Sequence, residues 1–164
     1  MTKSPLSTQP AAERRAAEAE LRALVTRVAP TQLRLVGALR RSVRKRLPTA
    51  HELVYEYRTW FVISYSPSEH GYEGVLGIRG DANGVKFCLS RGKGLPDPEK
   101  LLKGSGNLVR SIDIEGASTL GRPVVARLID EAIARNRVPF ARTGHGPVVI
   151  RSASTRKPRR RRPA

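Results

Sequence analysis

The chain predicts an α+β fold, a two-layer sandwich in which a mostly antiparallel sheet is packed by helices. Three observations carry this. Apolar residues recur with helical period before Pro48 and again after Pro123. Between those segments the pattern changes to runs rich in β-branched and aromatic residues. The breaks between the runs are short and built of Gly, Asn, Asp, Ser and Pro, as hairpin connections are.

Taken in order, Leu21, Leu24, Val25 and Val28 lie at the i, i+3, i+4, i+7 spacing of one helix face within a stretch that starts at Ala11. Pro30 ends it, and Thr31 is placed to cap the next helix. In that second helix Leu35, Val36, Leu39, Val43 and Leu47 form the apolar stripe, Arg34, Arg40, Arg41, Arg44, Lys45 and Arg46 cover the other sides, and Pro48 stops it. Leu53–Tyr57 and Thr59–Tyr65 read as strands, closed by Ser66-Pro67-Ser68. Gly74–Arg79 and Gly84–Ser90 read as two more, joined by the turn Gly80-Asp81-Ala82-Asn83-Gly84, and Leu108–Glu115 as a fifth. Pro123 opens a third helix with Val125, Leu128, Ile129 and Ala132 on its inner face. A loop follows Asn136, then the short apolar run Val148-Val149-Ile150.

With 164 residues, the chain is read as one domain over residues 11–152, flanked by a disordered stretch at 1–10 and a disordered basic tail at 153–164. The single cysteine, Cys88, excludes an internal disulfide and suits a reducing compartment. No apolar run approaches the roughly 20 residues of a membrane span, and residues 1–10 lack the hydrophobic stretch of a signal peptide. The expectation is a cytoplasmic protein with no membrane partner. The sequence sets no oligomeric state.

The formal net charge is +17, and its placement is uneven. Residues 1–50 carry 11 Lys and Arg against 3 Asp and Glu, residues 51–121 carry 8 against 9, and residues 122–164 carry 12 against 2. A near-neutral centre between basic ends points to a folded body with polyanion-attracting appendages. Arginine outnumbers lysine 24 to 7, which a GC-rich genome also produces, but the run Arg159-Arg160-Arg161-Arg162 exceeds that explanation.

The segment 91–110 holds four glycines and two prolines between strand-like runs. Its pattern Gly-Leu-Pro-Asp-Pro-x-x-Leu-Leu-x-Gly-Ser-Gly-x-x-Val-Arg, together with Glu-Leu-Val-Tyr at 52–55 and Pro-Val-Val-Ile-Arg-Ser at 147–152, resembles the YdhG-like family of bacterial domains of unknown function. The resemblance spans roughly residues 15–152. It implies a compact frataxin-like sandwich, and with it an intracellular iron-chaperone role for some members. No catalytic set accompanies the family, so none is carried over. Iron delivery of that kind uses a carboxylate-rich surface, whereas residues 11–28 hold Glu13, Glu18 and Glu20 against Arg14, Arg15, Arg22 and Arg27.

Candidate sites follow from residue types. Lys103, Ser105, Gly106, Asn107 and Arg110 form an anion-binding candidate, since successive backbone N–H groups in such a turn make a concave nest with two cations beside it. The competing reading is a tight turn feeding a strand, with Arg110 paired to a carboxylate. Asp97 reads as the cap of a short helix over residues 98–102. His51, Glu52 and Glu56 are metal-type ligands, but His51 and Glu52 fall on opposite faces of a strand; no metal site and no cofactor is assigned. Cys88, beside Lys86 in alternation, reads as a passive thiol. Six aromatics, Tyr55, Tyr57, Trp60, Phe61, Tyr65 and Tyr72, crowd one region and either form a core and cross-strand ladder or stack nucleobases. Finally, Arg40, Arg41, Arg44 and Lys45 on the second helix, with Arg156, Lys157, Arg159, Arg160, Arg161 and Arg162 in the tail, are candidate contacts to nucleic acid.

Three functions are thereby open. The leading one is a non-catalytic binding module that contacts nucleic acid or another polyanion. The others are a frataxin-like iron carrier and an enzyme acting on a small anion in a concave pocket near Lys103 and Arg110.

Overall fold

Residues 8–152 are described by a computed structural model of the chain. Its elements are helices α1 (Ala11–Val28), α2 (Leu33–Arg46) and α3 (Pro123–Ala134), and strands β1 (His51–Glu56), β2 (Trp60–Ser66), β3 (Leu76–Asp81), β4 (Gly84–Leu89), β5 (Arg110–Ile114) and β6 (Val148–Ser152). The six strands form one sheet in the order β5-β4-β3-β2-β1-β6. All pairs are antiparallel except β1 with β6, which is parallel. The protein is thus α+β, with the helices against one face of a mostly antiparallel sheet.

Period-2 alternation builds that face. A single cross-strand row, Ile150-Val54-Ile63-Ile78-Phe87-Ile112, crosses all six strands in register. It meets Leu21, Leu24, Val25, Val36, Leu39, Val43, Val125, Leu128 and Ile129 from the helices in one core cluster. The adjacent row, Val148-Glu52-Tyr65-Leu76-Leu89-Arg110, faces the same way and sets a carboxylate among apolar side chains. The opposite face is covered beside β1 and β2 by the segment between β2 and β3: Arg151 donates to the Tyr55 hydroxyl at 3.1 Å and to the Glu69 carbonyl, and Ser66 Oγ donates to the His70 carbonyl at 3.0 Å.

Several details differ from expectation. The run Val148-Val149-Ile150 is a full edge strand, because the chain returns past α3 and lays it beside β1. The Gln9 side-chain amide donates to the Val148 carbonyl and accepts from its N–H, both at 3.0 Å, and so occupies that stretch of sheet edge. Thr31 does not cap α2; it sits inside a 3₁₀ turn over Pro30–Gln32, and Gln32 precedes the helix without a side-chain cap bond. Residues 98–102 form a turn rather than a helix. Lys100 there adopts φ 53°, a left-handed conformation that halts helical propagation. Asp97 nevertheless does the work of a cap, its carboxylate accepting from the Leu101 and Leu102 N–H groups at 2.9 Å each.

Candidate polyanion-binding face

The arginines of α2 divide into two sets with opposite tasks. Arg40 and Arg44, four residues apart, turn inward to Glu52 of β1. The Glu52 side chain is 1% exposed. It accepts from Arg40 Nε at 2.9 Å, from Arg44 Nε at 2.6 Å and from the Tyr65 hydroxyl at 2.9 Å. Glu18 of α1 completes the cluster, taking both terminal nitrogens of Arg40, at 2.7 and 2.9 Å, and one of Arg44 at 3.4 Å. Two guanidinium groups and two carboxylates therefore neutralise one another where α1, α2 and β1 meet.

The electrostatics follow. Burial opposes the charge on Arg40, but the hydrogen bonds to Glu18 and Glu52 outweigh it and raise its pKa. Tyr65 is pushed well above the usual phenol range by complete burial and then by the adjoining Glu52 carboxylate. This cluster was missed in the sequence. Its signal was an Arg pair four residues apart beside the apolar stripe, and a glutamate among strand positions that otherwise face inward.

Arg41 and Lys45 turn the other way and are exposed, as is Arg34. The three sit seven and four residues apart, which keeps them on one stripe of α2. Arg22 of α1 shares with Arg34 and Arg41 the lining of a groove of about 760 Å³, to which Leu21, Val25, Leu33 and Val36 also contribute. None of these four cations forms an ion pair among the described residues, whereas Arg27, Arg46, Arg122 and Arg135 all do. Of the sequence grouping Arg40, Arg41, Arg44 and Lys45, Arg40 and the half-buried Arg44 are engaged by Glu18 and Glu52, while Arg41 and Lys45 are exposed, as are Arg34 and Arg22. The tail residues Arg156, Lys157, Arg159, Arg160, Arg161 and Arg162 lie outside the described residues.

The anion-binding candidate lies in a turn tied by hydrogen bonds. Arg110 donates from one terminal nitrogen to the carbonyls of Gly106 and Val109 at 2.7 and 2.8 Å, and it forms no ion pair among the described residues. Lys103 exchanges backbone bonds with Ser111 at 2.8 and 2.9 Å and pairs its ammonium with Asp113. Ser105, Gly106 and Asn107 are exposed. A concavity of about 490 Å³ does lie beside Lys103, but Arg110 is not in its wall, where Lys100, Lys103 and Arg122 stand against Asp113 and Glu115.

The hydrogen bond from Lys103 holds the Asp113 carboxyl below the usual carboxylate range. Replacing Lys103 with Ala is expected to move that pKa back up, read directly by carboxyl-carbon NMR titration. Because the folded pKa is the lower one, the pair's contribution to stability is present above the unfolded value and fades as pH falls through the folded one. An unmoved titration in Lys103→Ala would remove the ion pair from the account.

The remaining candidates are placed as follows. His51 and Glu52 do point to opposite faces. Among the described residues no group of three or more His, Cys, Asp and Glu side chains is assembled to hold a metal ion. Burial raises the Cys88 pKa despite the opposing cations Arg79 and Lys86. Phe61 and Tyr65 belong to the core. Trp60 stacks on Tyr57 at 3.8 Å and carries the Arg79 guanidinium at 4.3 Å. Tyr72 alone of the six stands 81% exposed. No helix among the described residues is long and apolar enough to cross a membrane.

No family profile, no curated protein and no solved structure matches this chain.

Proposed function

We propose that the protein is a binding module of YdhG-like fold whose α1–α2 face engages the phosphate backbone of nucleic acid. The observation that carries this reading is the stripe Arg34, Arg41 and Lys45, with Arg22 opposite, all without ion-pair partners among the described residues. Its support comes in two parts. The stripe runs along roughly 16 Å of helix at 1.5 Å per residue, close to five base steps of duplex at 3.4 Å each. Beneath it the neutral cluster of Arg40, Arg44, Glu18 and Glu52 fixes α2 against the sheet, so the outer cations are presented by a braced helix at little ordering cost. The basic tail adds six cations to the same electrostatic attraction.

Duplex DNA binding by the full chain, measured against salt, tests the reading. Each phosphate contact contributes about −0.9 to the log–log slope. The variant R34A/R41A/K45A is expected to flatten the slope by about 2.7, and removal of residues 153–164 by about 5. An intact chain that fails to bind at low salt, or a triple variant with an unchanged slope, overturns the proposal. Arg40 and Arg44 are left untouched in this design because their substitution disturbs the fold.

A further inference from the structure

We propose that the cleft beneath Tyr72 is a binding site for a ligand that joins an aromatic base to a phosphate, a nucleoside monophosphate being its simplest form. The proposal does not rest on the α1–α2 face. The cleft holds about 420 Å³, inside the roughly 300–1,000 Å³ range of small-ligand pockets. It lies between the segment that follows β2, the start of the Gly-rich loop, and the end of α3.

Two observations define the chemistry. Tyr72 is the most exposed large apolar side chain among the described residues, at 81%. His70 lies parallel to one face of its ring, with centroids 5.3 Å apart and planes 16° apart. A phenol ring braced on one side and open on the other is a stacking platform. Exposing it costs burial energy, and among the described residues His70 alone makes a ring contact with it.

The second observation is charge. Arg91, Lys93, Arg135 and Arg137 line the cleft against the single carboxylate Glu73. Glu73 accepts a hydrogen bond from Ser68 Oγ, and Arg135 is held by Glu131 at 3.5 Å and by the Gly94 carbonyl at 3.1 Å. Arg91, Lys93 and Arg137 have no ion-pair partner among the described residues. Three cations without ion-pair partners in the lining, beside an open ring, suit a phosphate and a base on one ligand, and Ser90 and Val75 line the same cleft.

The test uses the full chain and two-dimensional amide NMR, titrated separately with AMP, adenosine and inorganic phosphate. AMP is expected to shift amides around Tyr72, Arg91 and Arg137 and to bind about tenfold more tightly than phosphate, the gain that stacking one base supplies. Tyr72→Ala should remove that tenfold advantage and leave phosphate binding as it was. R91A/R137A should weaken AMP and phosphate together, while R34A/R41A/K45A should leave AMP binding unchanged. All of these substitutions are at exposed positions, and an unchanged amide spectrum away from the cleft verifies the fold. A free mononucleotide and the 5′ end of a single strand share this chemistry, so a 5′-phosphorylated tetranucleotide is titrated alongside. Tighter AMP binding marks the free nucleotide as the ligand, and tighter oligonucleotide binding marks a strand end. AMP binding no stronger than phosphate, insensitivity to Tyr72→Ala, or shifts centred on α2 overturns the proposal.

Discussion

Glu52→Ala is expected to lower stability by about 3–5 kcal/mol, the cost of leaving buried charge uncompensated. The substitution removes the acceptor shared by Arg40, Arg44 and Tyr65. The Arg40 side chain is only 12% exposed, so it cannot turn to water without opening the α1–α2–β1 junction. Glu18 remains, bonded to the terminal nitrogens of the two arginines, but the Tyr65 hydroxyl loses its Glu52 acceptor in the core. At about 2–4 °C per kcal/mol for a chain of this size, the melting temperature should fall by roughly 6–20 °C. Glu18→Gln supplies the contrast. Its carboxylate is 35% exposed and solvent screens it, so a loss nearer 1 kcal/mol is expected. Urea denaturation of the two variants gives the order directly. Equal losses, or a Glu52→Ala variant within about 1 kcal/mol of the parent, would show that the cluster is held by packing and not by its charges.

Gly146→Ala is expected to be as damaging for a different reason. A Cβ at this position would stand 1.7 Å from the Ala50 carbonyl oxygen and 2.4 Å from its carbon, both backbone atoms that have no rotamer to yield with. The Gly146 N–H donates to the Pro48 carbonyl at 2.9 Å, and the neighbouring Pro147 carbonyl accepts from the Glu52 N–H at 2.9 Å. Moving residue 146 outward therefore peels the start of β6 from β1 at the point where Glu52 is anchored. Overpacking usually costs 1–3 kcal/mol, and a backbone-on-backbone clash belongs at or above the top of that range, about 3 kcal/mol or more. Hydrogen exchange should show lost protection at Glu52 and along β6, with β4 and β5 little changed. Gly106→Ala is the control, because a Cβ there meets nothing within 4 Å; a change within about 0.5 kcal/mol is expected. Similar behaviour of the two alanine variants would contradict the close approach at residue 146.

The two variants also mark where sequence reading succeeds and where it stops. The helices and the first five strands were legible because each repeats its apolar residues at a period set by its own geometry, 3.6 or 2. Their limits moved by a residue or two, and among the strands β6 changed status: three apolar residues declare no strand until a parallel neighbour is supplied. Asp97 was read as a cap correctly and as the cap of a helix wrongly, since the left-handed turn at Lys100 leaves no pattern in the side chains. The candidate site was legible only in part. Arg41 and Lys45 are where an amphipathic helix would put them, yet Arg40 and Arg44, indistinguishable by residue type, point to Glu52. No periodicity reports that, because the partner lies on another element. Tyr72 was one aromatic among six, and its distinction is exposure, which composition does not encode.

By itself, then, the amino-acid order determined the fold class, the run of elements and the excess of positive charge, all of which follow from local spacing and from counting. Only the tertiary structure decided which charges are spent and which are left over, because neutralisation depends on the few ångströms between side chains that lie far apart along the chain. Glu18, Arg40, Arg44 and Glu52 cancel one another at contact distance and Arg46 pairs with Asp130, which leaves Arg34, Arg41 and Lys45 as the exposed cations of α2 without an ion pair among the described residues.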